Sequence, residues 1–398
     1  MTHVVTLNAG SSSMKFGLFE LTEDDPVMVC TGVVERIGEP EPIVKARSSG
    51  GGVLANGTAG DIHDHAAALD WVLNLLSRAF PSCEVTAVGH RIVHGGPEID
   101  TPLPLTAAAL EELDKLSPYA PLHQPHNLAG VKAAMERFPN AAQIACFDTA
   151  FHRSHPWEND VFALPREYYD KGVRRYGFHG LSYEYISDHL AKTAPLLHAG
   201  RVVVAHLGNG ASMCAMIGGR SVGSTMGFSS LDGLPMGSRC GQLDPGVLLY
   251  LMDQEGLSAS EISDLLFRKS GLLGLSGLSS DMRTLEKADT RESRQAISYF
   301  TFRIRRELGA MAAILGGIDA LIFTGGIGEN SRLVRDRVCS GMGWLGIELD
   351  PEANADNDRI ISTDLSRVVA MVIPTNEELV IARAAADLLA NRSHRKSA

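Results

Sequence analysis

Three turns of small residues, each following an apolar run, are the part of this chain best suited to chemistry. They read Asn8-Ala9-Gly10-Ser11-Ser12-Ser13, Gly208-Asn209-Gly210-Ala211-Ser212 and Gly325-Gly326-Ile327-Gly328-Glu329-Asn330. Where no Cβ blocks the approach and positive φ is cheap, backbone N–H groups can come close to an anion. One such turn means little, but three spread along the chain point to a nucleotide held between two related halves. Four other segments carry reactive side chains. Arg91 lies in His90-Arg91-Ile92-Val93-His94-Gly95-Gly96, Asp148 ends the apolar run at Cys146-Phe147, His179 stands between Gly177-Phe178 and Gly180, and Arg239 sits in Met236-Gly237-Ser238-Arg239-Cys240-Gly241. A guanidinium matches the oxygens of a carboxylate or a phosphoryl group bidentately, so the two arginines suit anion transfer chemistry.

Two common phosphate loops are excluded. No second Gly precedes Lys15, so the first turn is not a P-loop. Met213 stands where a dinucleotide fingerprint needs its third Gly. After each of the first two turns the chain returns as an apolar strand, at Met14–Phe19 and at Met213–Ile217. The same hairpin about 200 residues apart reads as an internal duplication.

The elements that must carry these residues alternate between strand and helix. In the first third, strands are expected at Val27–Glu35, Val85–Val93 and Ala142–Phe147, with helices over Asp61–Phe80, Ala107–Leu116 and Asn127–Phe138. The Gly/Ser-rich stretch Ser48–Gly60 reads as a surface turn. In the second half, strands near 202–207 and 213–217 lead into a Gly-, Ser- and Met-rich loop, Gly218 to Gly246. Helices follow near 246–255, 259–269 and 292–315, then strands at Leu321–Thr324 and Val368–Ile373 and a closing helix from Glu377. Strand–turn–strand followed by strand–helix units, occurring twice, predicts an α/β protein of two similar lobes with a cleft.

At 398 residues the chain is long enough for two domains. A net charge of −11 argues against nucleic acid or an anionic membrane as partner, so anionic substrates require local cationic sites. The six cysteines are scattered without a Cys-x-x-Cys pair, which predicts neither a zinc site nor a disulfide framework. No signal peptide or membrane span is expected, and the cytoplasm is the expected compartment.

Taken together, Asn-Ala-Gly-Ser-Ser-Ser-x-Lys at 8–15, Gly-Phe-His-Gly at 177–180, His-Leu-Gly-Asn-Gly at 206–210, Thr-Gly-Gly-Ile-Gly-Glu-Asn at 324–330 and Pro-Thr-Asn-Glu-Glu-Leu at 374–379 resemble the acetate kinase family (acetate and propionate kinases) of the actin–sugar kinase–Hsp70 ATPase superfamily. The resemblance runs over nearly the whole chain. It implies two duplicated actin-like ATPase (ribonuclease H-like) lobes with the active site in the cleft. One is expected over 1–150, joined by the C-terminal helix 375–398. The other, over 151–374, is expected to bind nucleotide and to dimerise. It also implies reversible transfer from MgATP to acetate, giving acetyl phosphate and ADP, with Mg²⁺ or alternatively Mn²⁺, in a homodimer.

The resemblance assigns substrate binding to Arg91 and transition-state stabilisation to His179 and Arg239. Asp148 matches the family's active-site Asp. A carboxylic acid with a pKa of roughly 4–5 is already ionised at neutral pH and needs no base, which favours an orienting role for Asp148, holding an Arg or a metal-bound water. On spacing alone, a strand-end Asp capping its turn is the favoured reading of Asp148. Asn8 and Glu377 match the metal site, with Glu378 the alternative by sequence, and Lys15 reaches the nucleotide phosphates. His206, Leu207, Gly208, Asn209 and Gly210 are expected at the phosphates. Asp281, Met282 and Arg283, with Gly326, Ile327, Gly328, Glu329 and Asn330, are expected at the rest of the nucleotide. His94, His123, His126 and His152 are expected to be structural.

The acyl pocket of the family matches Val93, Leu122, Phe178 and position 230. Position 230 is Ser here, where acetate kinases commonly have Pro, so Val93 favours acetate while Ser230 loosens the preference. Two further departures, Leu181-Ser182-Tyr183 for Thr-Ser-His and Gln242 for Asp, are expected to leave the catalytic set untouched. The alternatives are a propionate or other short-chain carboxylate kinase and, more remotely, a non-catalytic nucleotide-gated binding protein of the same fold.

Overall fold

The computed structural model describes residues 2–10, 12–121 and 123–396, with side chains as far as residue 390. The chain divides into two compact units, Met1–Phe151 with Asn376–Ala398, and His152–Thr375.

The first unit is built on strands β1 (Thr2–Ala9), β2 (Ser13–Glu20), β3 (Val27–Glu35), β4 (Ile43–Ser48), β5 (Val53–Thr58), β6 (Glu84–Ile92), β7 (Leu103–Pro104) and β8 (Ala142–Phe147). They form one sheet in the order β5-β4-β3-β2-β1-β6-β8-β7. β1 pairs in parallel with β6, and β6 with β8, so their C-terminal ends, including Asn8, Arg91 and the approach to Asp148, lie along the same edge. Residues 3–8 of β1 are buried on both faces of the strand, as parallel strands covered by helices require. One face packs Val5, Leu7, Phe16 and Leu18 with Leu69 and Val72 of the helix His65–Ala79. That helix starts where the Asp64 side chain accepts the Ala67 N–H, a cap worth about 1 kcal/mol. The C-terminal helix Glu377–Lys396 packs on β1 and β6, approaching so closely that a Cβ on Gly89 would collide with Ile381.

The second unit has strands β9 (Arg201–Leu207), β10 (Ala211–Ile217), β11 (Arg220–Ser224), β12 (Ala320–Thr324) and β13 (Val369–Val372), in the order β11-β10-β9-β12-β13. β9–β10–β11 is an antiparallel meander, and β9, β12 and β13 run parallel. The run β3-β2-β1-β6-β8 repeats that order and those strand senses, which is the duplication read from the two hairpins. The helix Arg291–Leu315 supplies the core with Ile297, Phe300, Ile304, Leu308 and Met311, each contributing on the order of 1.5–3 kcal/mol. Its ends are set by Thr290, whose hydroxyl accepts the Ser293 N–H, and by Gly316 at φ 68°.

Three segments differ from expectation, the first being the loop expected from Gly218 to Gly246, whose start instead pairs with β10 as β11. Ser48–Gly60 is not all turn: a tight bend closes at Gly52, and β5 then adds to β4 as an exposed edge strand. The third Gly run is no open turn but a short helix, Gly325–Asn330, leaving β12 directly. Among the described residues, no helix is long and apolar enough to cross a membrane.

Candidate active site

In the first unit the reactive side chains meet at the ends of the parallel strands. Arg91 donates from Nε to Asp148 Oδ1 (2.8 Å), from Nη2 to Asp148 Oδ2 (2.6 Å) and from Nη1 to Asn8 Oδ1 (3.0 Å). Asp148 is 2% exposed, so this fork fixes the guanidinium plane. Burial alone would depress the Arg91 pKa, but Asp148, Glu377 and Glu378 outweigh it and hold the guanidinium above its ordinary range. The three carboxylates thus lie within electrostatic reach of one cation. Val93 is buried in the turn after β6, its N–H donating to Asn127 Oδ1, while Asn127 Nδ2 donates to Ala9 O. Asn127 therefore ties the acyl-pocket candidate to the end of the first hairpin strand. The His94-Gly95-Gly96 turn is held by Gln124 and Thr149. Lys15 is exposed and faces Asn8 in the β1–β2 register. The first turn closes with Gly10 N–H donating to Ser13 O (2.7 Å), and His65 Nε2 lies 2.5 Å from Gly10 O while stacked on His126.

In the second unit, the β9–β10 turn closes with Gly208 N–H donating to Gly210 O (2.9 Å). His179, at φ 59° and ψ 25°, stands at the head of the helix Gly180–Thr193. This left-handed backbone turns its ring onto the hairpin, stacked 4.3 Å from the His206 ring. A Cβ on Gly210 would lie 3.2 Å from His179 Nε2 and 3.9 Å from Arg239 Nη1, so the bare Gly leaves both side chains facing the turn. Arg239 is positioned by Nη1 donating to Ser230 O (3.1 Å), which places the Ser230 backbone beside that side chain. Phe178, 2% exposed, gives its carbonyl to His152 Nε2. Asn209 O accepts from Gly237 N–H, joining the hairpin turn to the Arg239 loop.

The remaining nucleotide candidates fall into two groups. Leu207 is buried at the end of β9 and packs its carbonyl under Gly325, where a Cβ would clash. Gly326, Ile327 and Gly328 lie on the short helix, with Glu329 Oε1 accepting from Gly325 N–H and Thr375 N–H, and Asn330 Nδ2 donating to Gly326 O. Asp281 caps the helix Met282–Ala288 and holds exposed Arg283 in a bidentate pair that lowers its pKa, while Met282 is buried. Leu122 lies outside the described residues.

Three features escaped sequence reasoning. Gln124 and Asn127 belong to a helix that begins at Gln124, earlier than expected, because Pro125 suits a first turn. Arg335 is 1% exposed and holds the carbonyls of Gly328 and Glu329. Tyr183, part of the departure expected to leave the catalytic set untouched, approaches His179 through Ser212: its hydroxyl lies 2.5 Å from Ser212 Oγ, itself 2.9 Å from His179 Nδ1. The helix starting at Gly180 turns Tyr183 back onto the strand carrying Ser212, a proximity not visible in the sequence.

Asn8 and Glu377 bring an amide oxygen and a carboxylate, the hard donors that Mg²⁺ takes sparingly while keeping its waters. Among the described residues no three His, Cys, Asp or Glu side chains gather for a metal.

The two-sheet α/β fold is that of small-molecule kinases of the actin-like ATPase type. A crystal structure of acetate kinase from Porphyromonas gingivalis superposes with a TM-score of 0.87 at 37% identity, covering 98% of this chain and 100% of that one. A propionate kinase structure from Francisella tularensis subsp. tularensis gives 0.90 at 33% identity, over 96% and 99%. The acetate kinase of Methylocella silvestris is 58% identical over 388 residues, 96% of each chain. The Acetokinase family model matches residues 3–383, and the chain belongs to that family.

Proposed function

We propose that this protein transfers the γ-phosphoryl group of MgATP reversibly and in line to acetate, giving acetyl phosphate and ADP. The observation that carries this reading is a pair of preorganised anion-facing clusters, each containing an arginine. Arg91 is locked on Asp148 and Asn8, and His179 and Arg239 both face the Gly210 turn. Phosphoryl transfer requires mainly alignment and neutralisation of charge on the equatorial oxygens, which such sites supply without a protein nucleophile. Arg91 would bind the acetate carboxylate, oriented by Asp148, beside the apolar Val93 and Phe178. His179 and Arg239 would stabilise the transferring group, with the 206–210 and 326–330 segments, Asp281–Arg283 and Lys15 holding the nucleotide. Mg²⁺, held through Asn8 and Glu377, would add charge neutralisation on the phosphates.

We assign self-association to the second unit. The helix Pro245–Asp253 leaves Leu249, Tyr250 and Met252 half or more exposed, a face suited to a second copy of the chain. The apolar stripe of Arg291–Leu315 serves the core instead, so it does not supply that face. We place the activity in the cytoplasm, in keeping with six cysteines that form no disulfide.

The test is acyl-phosphate formation, trapped as hydroxamate, with MgATP and acetate, propionate or butyrate, beside Arg91→Ala. Acetate-preferring turnover that is lost in the variant supports the assignment. A preference for a longer acid moves the substrate and points to Ser230. ATP binding without any acyl phosphate overturns the kinase reading.

A further inference from the structure

The two ring nitrogens of His179 meet different surroundings. Nε2 faces the Gly208-Asn209-Gly210 turn, and Nδ1 lies 2.9 Å from Ser212 Oγ. Ser212 is fully buried on β10, and its hydroxyl has two polar partners among the described residues, His179 Nδ1 and Tyr183 OH at 2.5 Å. A hydroxyl has one proton, so a buried Ser between two partners must donate to one and accept from the other, or leave that proton unpaired. The phenol is the stronger donor and the weaker acceptor of the two hydroxyls. Burial also pushes the Tyr183 pKa well above 10, which keeps its proton in place. The order that uses the stronger donor and the better acceptor runs from Tyr183 O–H to Ser212, and from Ser212 O–H to His179 Nδ1. The remaining imidazole proton then sits on Nε2. The His206 ring stacks on that of His179, and its Nδ1 lies 2.8 Å from Ser182 Oγ.

We propose that Tyr183 is a positioning residue which, through Ser212, fixes His179 as the Nε2–H tautomer, so that a hydrogen-bond donor rather than an acceptor faces an anion in the Gly208–Gly210 turn. That the anion is the transferring phosphoryl group rests on the kinase reading above; the tautomer does not. A donor at that position strengthens its bond as negative charge builds on the phosphoryl oxygens, whereas a lone pair there would repel them.

The experiment compares the wild type with Tyr183→Phe, Ser212→Ala and the double variant. Proteins labelled with ¹⁵N at histidine are examined by long-range ¹H–¹⁵N correlation, with His179→Gln assigning the resonance. The wild type is expected to show His179 as Nε2–H. Tyr183→Phe keeps the ring in place, and its bias toward Nε2–H is expected to fall about tenfold, the worth of one buried hydrogen bond. In the hydroxamate assay, kcat is expected to fall about tenfold in each single variant with the acid KM unchanged, and the double variant to be no slower than Ser212→Ala. An Nδ1–H wild-type ring, a tautomer ratio unmoved by Tyr183→Phe, or losses that multiply in the double variant would overturn the proposal. A wild type that makes no acyl phosphate overturns the kinase reading, while the tautomer measurement still decides this one.

Discussion

Asp148 holds Arg91 by both carboxylate oxygens, at 2.8 and 2.6 Å, across 57 positions of sequence. Both residues stand at the C-terminal ends of neighbouring parallel strands, so the sheet register itself builds the pair. Asp148→Asn keeps the shape but turns an N–H of its amide toward one guanidinium N–H. A charge-assisted hydrogen bond is worth about 1.5–3 kcal/mol, so the KM for acetate is expected to rise roughly 10- to 100-fold with the KM for ATP little changed. An acid KM equal to wild type would show that Asp148 does not orient Arg91.

Gly210 is the second point at which one atom decides. A Cβ there meets His179 Nε2 at 3.2 Å, tighter than ordinary van der Waals contact, without any left-handed φ to strain the backbone. Gly210→Ala is therefore expected to fold with a melting temperature close to wild type and to lose at least about tenfold in kcat, since a few tenths of an ångström suffice to disturb alignment. Equal kcat in the variant would mean that nothing reacts near that face of His179.

These two cases mark what the sequence made legible. The hairpins, the duplicated order and the first two Gly turns are local patterns of apolar runs and small residues, so they could be read directly, whereas the third Gly run forms a short helix. Asp148 could be given an orienting role, but its bidentate hold on Arg91 depends on the β6–β8 register. Gln124, Asn127, Arg335 and Tyr183 were not legible because each acts through a partner that no local sequence pattern marks. Gln124 and Asn127 look like ordinary polar residues at a helix start, and Arg335, between Arg332 and Arg337, looks like a surface charge. Tyr183 reads as a harmless substitution until the helix from Gly180 sets it beside Ser212.

Buried histidines give the protein an acid limit. His90 and His152 are shut away from water, and burial pushes each pKa down to about 4. Unfolded, each would titrate near 6.5, so below that pH the unfolded chain binds protons that the folded one refuses. Their stabilisation is thus complete above about pH 6.5 and is lost as pH falls toward 4, by about 1.4 kcal/mol per pH unit for each residue. Urea titrations between pH 4.5 and 7 should show His152→Gln with a shallower loss than the wild type, by one residue's share. Parallel pH profiles would refute the assignment for His152.

Arg335 is expected to matter for nucleotide affinity although it is 1% exposed. Its Nη1 donates to Gly328 O and Glu329 O, both at 2.9 Å, and its Nε and Nη2 donate to the side chain and backbone oxygens of Asn354. The Gly328 and Glu329 carbonyls lie near the end of the helix Gly325–Asn330, where backbone acceptors lack helical partners and a cation complements the dipole. A planar fork of donors reaches all these oxygens at once, and a lysine ammonium does not. Arg335→Lys should leave some of them buried and unmet, at about 1–3 kcal/mol each, lowering the melting temperature by about 5 °C or more. It should also loosen the 326–330 segment. Well below that transition, the KM for ATP is expected to rise at least about fivefold with the acid KM unchanged. A less stable protein with an unaltered ATP KM would confine Arg335 to stability and detach the segment it holds from the nucleotide.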